Sequence, residues 1–472
     1  MRNRVSLIAA LCLSACMVGP DYQSPVVDLP ANWGDSTTAA NAPTTISAIP
    51  KEWWHLFHDE TLAALEEEGL KANADLLTAA SNVARARANL QLSDAEQYPE
   101  LDAKGGATRT APSKENALAK SGKPYSDLSF SAVLSYEVDL WGKLRRASES
   151  ARAQLLSQQA NRDAIYLAVS SDIATSYFNL LALDAQIHIT QQTIAARRAT
   201  LDYQERQFKE GSVDALTYRN AQAELAAAEA ILPALEQSQT VQQNSLAILL
   251  GRTPKELVEK SVARGKSLSA LPHPPAMPLE LPSTLLQRRP DIAAAEQSLV
   301  SANAEIGVAT AGYFPTLSLS ALIGLDSRNL DHLLSGSARN WQLGGGVAAP
   351  LIDMGRIDAK VDDAKARKDI ALIAYQQAVR SAFADVLDAM SAKRTSDARV
   401  AAEIKQVAAR AEATRIVKVR YDVGYSTNLE RLDAERSLYQ AQLDAVAATR
   451  DQLIANVTLY KALGGGWAKS VK

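Results

Sequence analysis

"GRIDAKVDDAKARKDIALIAYQQAVRSAFADVLDAM" (355–390) opens a run in which no proline occurs before the end of the chain. From Arg356 to Tyr421, about 66 residues, there is no glycine either. The mixture of Ala, Leu, Arg, Lys, Gln, Glu and Asp favours helix throughout. As one helix this segment spans roughly 100 Å, whereas helices of globular domains average about 10–14 residues. Gly424 then reads as the turn of a helical hairpin. A return helix is expected from Thr427 to Leu463, closed by Gly464-Gly465-Gly466.

The same object occurs earlier. Leu144 to Phe208 lacks both proline and glycine, Gly211 follows, and a return helix containing Pro233 ends at Gly251. An offset of 213 residues carries Gly211 onto Gly424 and Gly251 onto Gly464. It also lays "RQFKEGSVDALTYRNAQAEL" (206–225) on "VRYDVGYSTNLERLDAERSL" (419–438). A period this long is outside the range of solenoids and points to a duplicated half-molecule. The 472 residues suggest about three domains by length alone, but the duplication favours two halves of one architecture. The divisions expected are a signal segment 1–15, a tether 16–50, a first repeat 51–260, a linker 261–281 and a second repeat 282–472.

The N-terminus is a targeting segment. Arg2 and Arg4 form a basic start, and "VSLIAALCL" is an apolar core too short to span a bilayer as a helix. Leu13-Ser14-Ala15-Cys16 has the spacing of a bacterial lipobox, in which the cysteine becomes the acylated first residue. An ordinary secretory signal with an incidental cysteine is the simpler alternative. Of two cysteines only Cys16 survives cleavage there, so no disulfide within the mature chain is expected. Met17 in place of aspartate favours sorting to the outer membrane.

Residues 17–50, rich in Pro, Ala, Thr and Asp, read as an extended tether. "KEWWHLFHDETLAALEEEGL" (51–70) starts a helix with Asp59 as N-cap, expected to run to Gln97. After Pro99 the period changes to two. Leu128, Phe130, Ala132, Leu134, Tyr136, Val138 and Leu140 alternate with Ser129, Ser131, Val133, Ser135, Glu137 and Asp139. Leu317 to Leu325 and Trp341 to Leu351 repeat the pattern around the 327–340 loop, and 100–110 is a weaker partner. Four strands, two per repeat, are therefore expected. A further helix runs from Pro282-Ser283 to Gly312.

Alternation of this length fits a transmembrane β-barrel, though a soluble amphipathic sheet gives the same pattern. Four strands cannot close a barrel, which needs at least about eight, and an open edge cannot sit in lipid. If these strands cross a membrane they must be pooled between subunits, and three chains supply twelve. The fold class expected is thus a mixed α+β membrane protein: long helical hairpins plus four strands per chain.

"CMVGPDYQSP" (16–25), "YEVDLWGKLR" (136–145), "LPSTLLQRRPDIAAAEQSL" (281–299), "RYDVGYSTNLERLDAE" (420–435) and "LYKALGGGW" (459–467) together resemble the TolC-like outer-membrane efflux channels, in the lipoprotein branch typified by OprM and NodT. The resemblance covers essentially the whole mature chain in order. It implies a homotrimer with a twelve-stranded β-barrel in the bacterial outer membrane and a periplasmic α-barrel. It implies the exit duct of a tripartite efflux pump, passively conducting drugs or other small molecules from an inner-membrane transporter. The partners implied are a periplasmic adaptor (membrane fusion protein), an inner-membrane pump of the RND type and outer-membrane lipid. The covalent group implied is an N-acyl and S-diacylglycerol lipid on Cys16; no other cofactor is implied. The hairpin tips at Gly211, Ser212, Gly424 and Tyr425 then dock the adaptor. The periplasmic gate maps to Leu429 and Asp433, with Tyr421 in the nearby hydrogen-bonding set. A threefold ring of aspartates attracts cations, and a leucine ring blocks by dewetting. The first repeat has Phe208, Leu216 and Asn220 at the matching positions, so it lacks the carboxylate. A solvated helix-face acid remains the plain alternative for Asp433, and hairpin packing for Leu429.

The rest of the sequence excludes other functions. A net charge of −3 argues against nucleic acid as a partner. Of five histidines only His55 and His58 are close, and no cysteine or acid cluster completes a metal set beside them. "LGGGVA" (343–348) lacks the Lys-Ser/Thr of a phosphate loop. Arg-Arg pairs at 145–146, 197–198 and 288–289 are helix-face charges. No catalytic constellation supports an enzyme. A lipid-anchored periplasmic coiled-coil adaptor explains the rods and Cys16 but not the four strands.

Overall fold

A computed structural model of the chain describes residues 17–30, 33, 50–113, 123–272 and 282–467. Cys16 and the signal segment before it lie outside the described residues, as do parts of the tether, of the 111–124 loop and of the 261–281 linker. The described residues pack as two units, each drawn from three stretches of chain. One gathers the residues up to Val27 with Asn82–Gln159 and Ala294–Gln376; the other gathers Asp28–Ser81, Ala160–Ala293 and the residues from Gln377 onward.

The first unit is built on a four-stranded antiparallel sheet: β1 (Glu100–Thr110), β2 (Tyr125–Val138), β3 (Thr316–Ser327) and β4 (Arg339–Ala348), in spatial order 1-2-3-4. Each repeat supplies one hairpin. Register decides what the sheet presents. Leu101 faces Leu134, which faces Ala321, which faces Leu343. In the next row Ala103, Ala132, Ile323 and Trp341 line up, and in the row after it Phe130 lies between Gly105 and Leu325. Because side chains alternate with period two, every row of one face is apolar or glycine as far as Ile323, and Arg339 stands opposite Leu325 in the row beyond. The other face carries Asp102, Ser131, Ser135, Ser318, Ser320 and Gln342. The apolar face is open: Trp341 is 75% exposed and Ile323 69%. β2 stops at Val138 and β4 at Ala348, so Leu140, Ala349 and Leu351, expected in strands, belong to the connections into the helices.

The start of the tether is docked. Val18 N donates to Trp141 O at 3.0 Å. Gly19 (φ 94°) sits so close to Gly307 that a Cβ would fall 2.5 Å from the Gly307 Cα. Arg146, buried, pairs with Asp21 and Glu149, both at 2.7 Å. Apolar periodicity does not report such a segment, because backbone contacts and one ion pair hold it.

Outside the sheet the described residues are largely helical. α1 (Glu60–Ala72) begins at Asp59, whose carboxylate accepts from Thr61 N and Leu62 N. The expected continuous helix to Gln97 breaks at Asn73, which turns extended, and α2 (Ala74–Ala95) follows. The break is stabilised by Asn73 itself. Its Oδ1 accepts from Asp75 N at 2.9 Å and its Nδ2 donates to Leu249 O at 2.9 Å, the end of a later helix. The helix expected from Pro282 breaks similarly, into α6 (Pro282–Arg288) and α7 (Pro290–Thr310), with α5 (Pro254–Glu259) before them. Pro290 disfavours helical geometry at Arg289, and the Arg289 guanidinium binds Asp291, Asp385 and Ala462 O there.

α3 (Lys143–Lys209) and α8 (Arg356–Asp422) have 67 residues each; their return helices α4 (Ala215–Leu249) and α9 (Asn428–Ala462) have 35 each. The two hairpins are thus equal helix by helix. Trp53, Phe57, Tyr177, Phe178 and Tyr460 are fully buried. Trp53 stacks on Tyr460 at 5.5 Å, and each such side chain contributes about 1.5–3 kcal/mol by leaving water.

Candidate functional site

The two hairpin turns are built alike. At the first, Gly211 N donates to Phe208 O at 3.0 Å and Ser212 N to Gln207 O at 2.8 Å. At the second, Gly424 N donates to Tyr421 O at 3.0 Å and Tyr425 N to Arg420 O at 2.8 Å. This paired bonding satisfies the last helical carbonyls and needs a left-handed residue. Gly211 and Gly424 supply it, at φ 76° and 82°. Each return helix is then capped at the same offset. Asp214 accepts from Thr217 N at 2.8 Å; Thr427 Oγ1 accepts from Glu430 N at 3.2 Å, and the Glu430 carboxylate accepts in return from Thr427 N at 2.8 Å. The Ser426 hydroxyl and that amide hold the Glu430 carboxyl below its ordinary range.

What surrounds the turns differs. At the first, Phe208 stacks on Tyr218 with ring centroids 5.4 Å apart. At the second, Tyr425 is 77% exposed and Leu429 70%. Leu429 and Asp433 are four residues apart on α9, so they share a face, and Asp433 is exposed. Among the described residues neither side chain has a hydrogen-bond partner, and Asp433 acts on the Arg436 guanidinium by charge alone.

The end of α8 and the buried side of α9 are tied to the first hairpin. Gln204 Nε2 donates to the Tyr421 hydroxyl at 3.1 Å. Arg431, buried, lies 4.9 Å from the centre of the Tyr421 ring, donates to Asn428 at 2.9 Å and to Glu435 at 3.2 Å, and reaches Thr200 at 3.5 Å. Higher up, Glu224 of α4 is buried between Arg436 of α9 and Arg197 of α3, at 2.9 and 3.2 Å. The structure therefore brings Tyr421 into a bonded set, as expected, and leaves Leu429 and Asp433 outside it. Gln204, Arg431, Glu224 and Arg436 were not singled out from the sequence, and Arg197, read as a helix-face charge, is instead buried against Glu224. Their partners lie up to 231 residues away, and the first repeat has Tyr218 where the second has Arg431, so the duplication gave no hint.

Among the described residues no cluster of three His, Cys, Asp or Glu could hold a metal, and no helix is long and apolar enough to cross a membrane. The model of the outer membrane efflux protein family matches residues 65–252 and 281–465. The chain belongs to the outer membrane efflux protein family. It is 32% identical over 465 residues to the probable efflux pump outer membrane protein TtgC of Pseudomonas putida, covering 98% of this chain and 94% of that protein. It is 30% identical over 459 residues to the cation efflux system protein CusC of Escherichia coli, covering 97% of each. The solved open state of the Neisseria gonorrhoeae MtrE outer membrane channel superposes with a TM-score of 0.84 at 30% identity, over 97% of this chain and 100% of that one. As an outer membrane efflux protein, the chain supplies four strands to a trimeric twelve-stranded transmembrane barrel and its hairpins to a periplasmic α-barrel. Family members are transport components of tripartite pumps in the outer membrane. The lipid-anchored adaptor reading is thereby set aside.

Proposed function

We propose that three copies of this chain form a gated exit duct, closed at its periplasmic mouth by Leu429 and Asp433. The observation that carries the duct is the sheet: one face apolar and open except at its Arg109, Ser327 and Arg339 end, the other largely polar, and both edges unpaired among the described residues. Such a sheet is stable in lipid only when closed by further strands. The gate reading rests on a contrast within α9. One side is tied to the first hairpin through buried Arg431, which also lies against Tyr421 of α8. The other carries an exposed leucine and an exposed carboxylate, which threefold symmetry gathers into rings. Opening then consists of moving α8 and α9 away from the first hairpin.

The turns at Gly211, Ser212, Gly424 and Tyr425 are the docking points for a periplasmic adaptor, with an RND-type pump behind it. The exposed Tyr425 gives that contact an aromatic anchor. Cys16 carries the N-acyl and S-diacylglycerol lipid. Its neighbour Met17 packs on Gly142, just past the end of β2, which suits an anchor in the membrane that the strands cross. The chain does no chemistry of its own; the pump supplies energy and selects cargo. One relative is named for cations and another only as an efflux pump, consistent with a duct indifferent to its load.

Purified protein in planar bilayers tests this. Trimers with single-channel conductance are expected, together with loss of acyl-chain labelling in Cys16→Ser. A monomer that never conducts would overturn the duct, and unchanged labelling would overturn the anchor.

A further inference from the structure

β1 and β4 have one neighbour each in the chain. If three copies close the barrel, as proposed above, β4 of one copy must pair with β1 of the next. The residues on these edges specify how.

Direction comes first. Successive strands are antiparallel, so β4 runs opposite to β1, and the end of β4 meets the start of the neighbouring β1. Faces come second. Leu101, Ala103 and Ala107 share the lipid face with Trp341, Leu343 and Val347, so apolar rows stay continuous only when odd-numbered residues pair with odd-numbered ones. Keeping at least nine residues of β4 inside the ladder with β1 then leaves two registers. One sets Ala348 opposite Glu100, the other Ala348 opposite Asp102. Charge comes third. The first register places Arg339 directly opposite Arg109, which destabilises. The second places Trp341 opposite Arg109, where a cation meets an aromatic face, and moves Arg339 past the strand end.

Past the strand end a second pair of features falls into place. Ile352 is 80% exposed, and Met354 is exposed and left-handed at φ 57°, unusual for a residue other than glycine. Just before β1, Tyr98 and Leu92 are also exposed. Among the described residues of one chain both groups stay largely uncovered. The second register sets Ile352 beside Tyr98 of the neighbouring copy.

We infer that the barrel closes with β4 residues Trp341, Leu343 and Val347 opposite Arg109, Ala107 and Ala103 of the next copy, and that the 350–354 turn clasps that copy at Tyr98. The partner is a second copy of this chain, bound head to tail, the contact type that generates a ring.

Paired cysteines in the full-length outer-membrane protein read the register directly. Cys12 and Cys16, the two native cysteines, lie outside these segments. Leu343→Cys with Ala107→Cys is expected to convert monomer bands into covalent trimer on oxidation and denaturation, and Leu343→Cys with Gly105→Cys is expected to leave monomers. Coupling of the 343/105 pair in preference, or of neither pair in protein that a lysine cross-linker still captures as trimer, overturns the register and leaves the trimer standing. Protein that the lysine reagent captures only as monomer overturns the trimer itself. Ile352→Cys with Tyr98→Cys is expected to couple likewise. If it fails while 343/107 succeeds, the turn faces lipid and the clasp is wrong.

Discussion

Asp433 and Glu66 are both carboxylates without a hydrogen-bonding partner among the described residues, and their surroundings give them opposite roles. Asp433 is exposed on α9. Three copies place three such charges around one axis, where they repel each other and concentrate cations. Asp433→Ala is expected to raise leak conductance and uptake of a large antibiotic, without changing trimer yield. Conductance and uptake at the parental level would remove Asp433 from the gate. Glu66 lies in α1 at 0% exposure, and neither carboxylate oxygen has a partner. Trp53 Nε1, Trp54 Nε1 and the Tyr460 hydroxyl are also buried without partners. Burial raises the Glu66 carboxyl well above its ordinary value, so the folded chain keeps that proton to a higher pH than the unfolded chain does. The unfolded chain releases that proton near the ordinary carboxyl range, about pH 4.5. The folded state, still protonated, is therefore penalised progressively as pH rises above that range, and the penalty vanishes below it. Glu66→Leu is expected to raise the apparent melting temperature at pH 8, by an amount equivalent to about 1–3 kcal/mol. At pH 4.5 the gain should shrink. A loss of stability at pH 8, or a gain independent of pH, would show that the carboxyl is satisfied in place.

Among the elements, the two hairpins are equal in length and turn chemistry, and they differ in what locks them. Gln204 on α3 is bonded across to Tyr421 on α8, and Arg431 on α9 lies against that same tyrosine. Gln204→Ala removes one neutral hydrogen bond, worth about 1 kcal/mol, and a change of that size shifts a closed-to-open ratio about fivefold. Open dwell times in single-channel records should lengthen accordingly, with a smaller effect than Asp433→Ala on cation selectivity. Unaltered dwell times would mean that this bond does not hold the closed state. The sequence made the rods and turns legible because glycine and proline are nearly absent between them and glycine is required at the turns. It made the strands legible because period two is unlike period 3.6. It did not reveal the breaks at Asn73 and Arg289, where a side chain closes the end of a distant helix, nor the lock, whose members are ordinary polar residues until folding brings them together. Leu429 and Asp433 were reachable only through family resemblance, since one exposed leucine and one exposed aspartate on a helix carry no pattern of their own.

At the scale of the whole molecule, the assignment of faces governs everything else. Alternation alone separates an apolar row from a polar one without saying which meets lipid. The paired register supplies that, by joining Leu101, Leu134, Ala321 and Leu343 across all four strands into a surface left open in the single chain. Ile323 and Leu322 test it, because they are adjacent in β3 and point to opposite faces. Ile323→Lys sets a charge into lipid, at about 2–4 kcal/mol near the midplane in each copy. Three copies incur it together, so little folded trimer should reach the outer membrane. Leu322→Lys, one residue away and the less conservative in appearance for a leucine-rich strand, should assemble at parental levels. It adds three positive charges to the lumen and should shift reversal potentials toward anions. If Leu322→Lys blocks assembly and Ile323→Lys does not, the faces are assigned the wrong way round, and the lumen and the lipid surface exchange places.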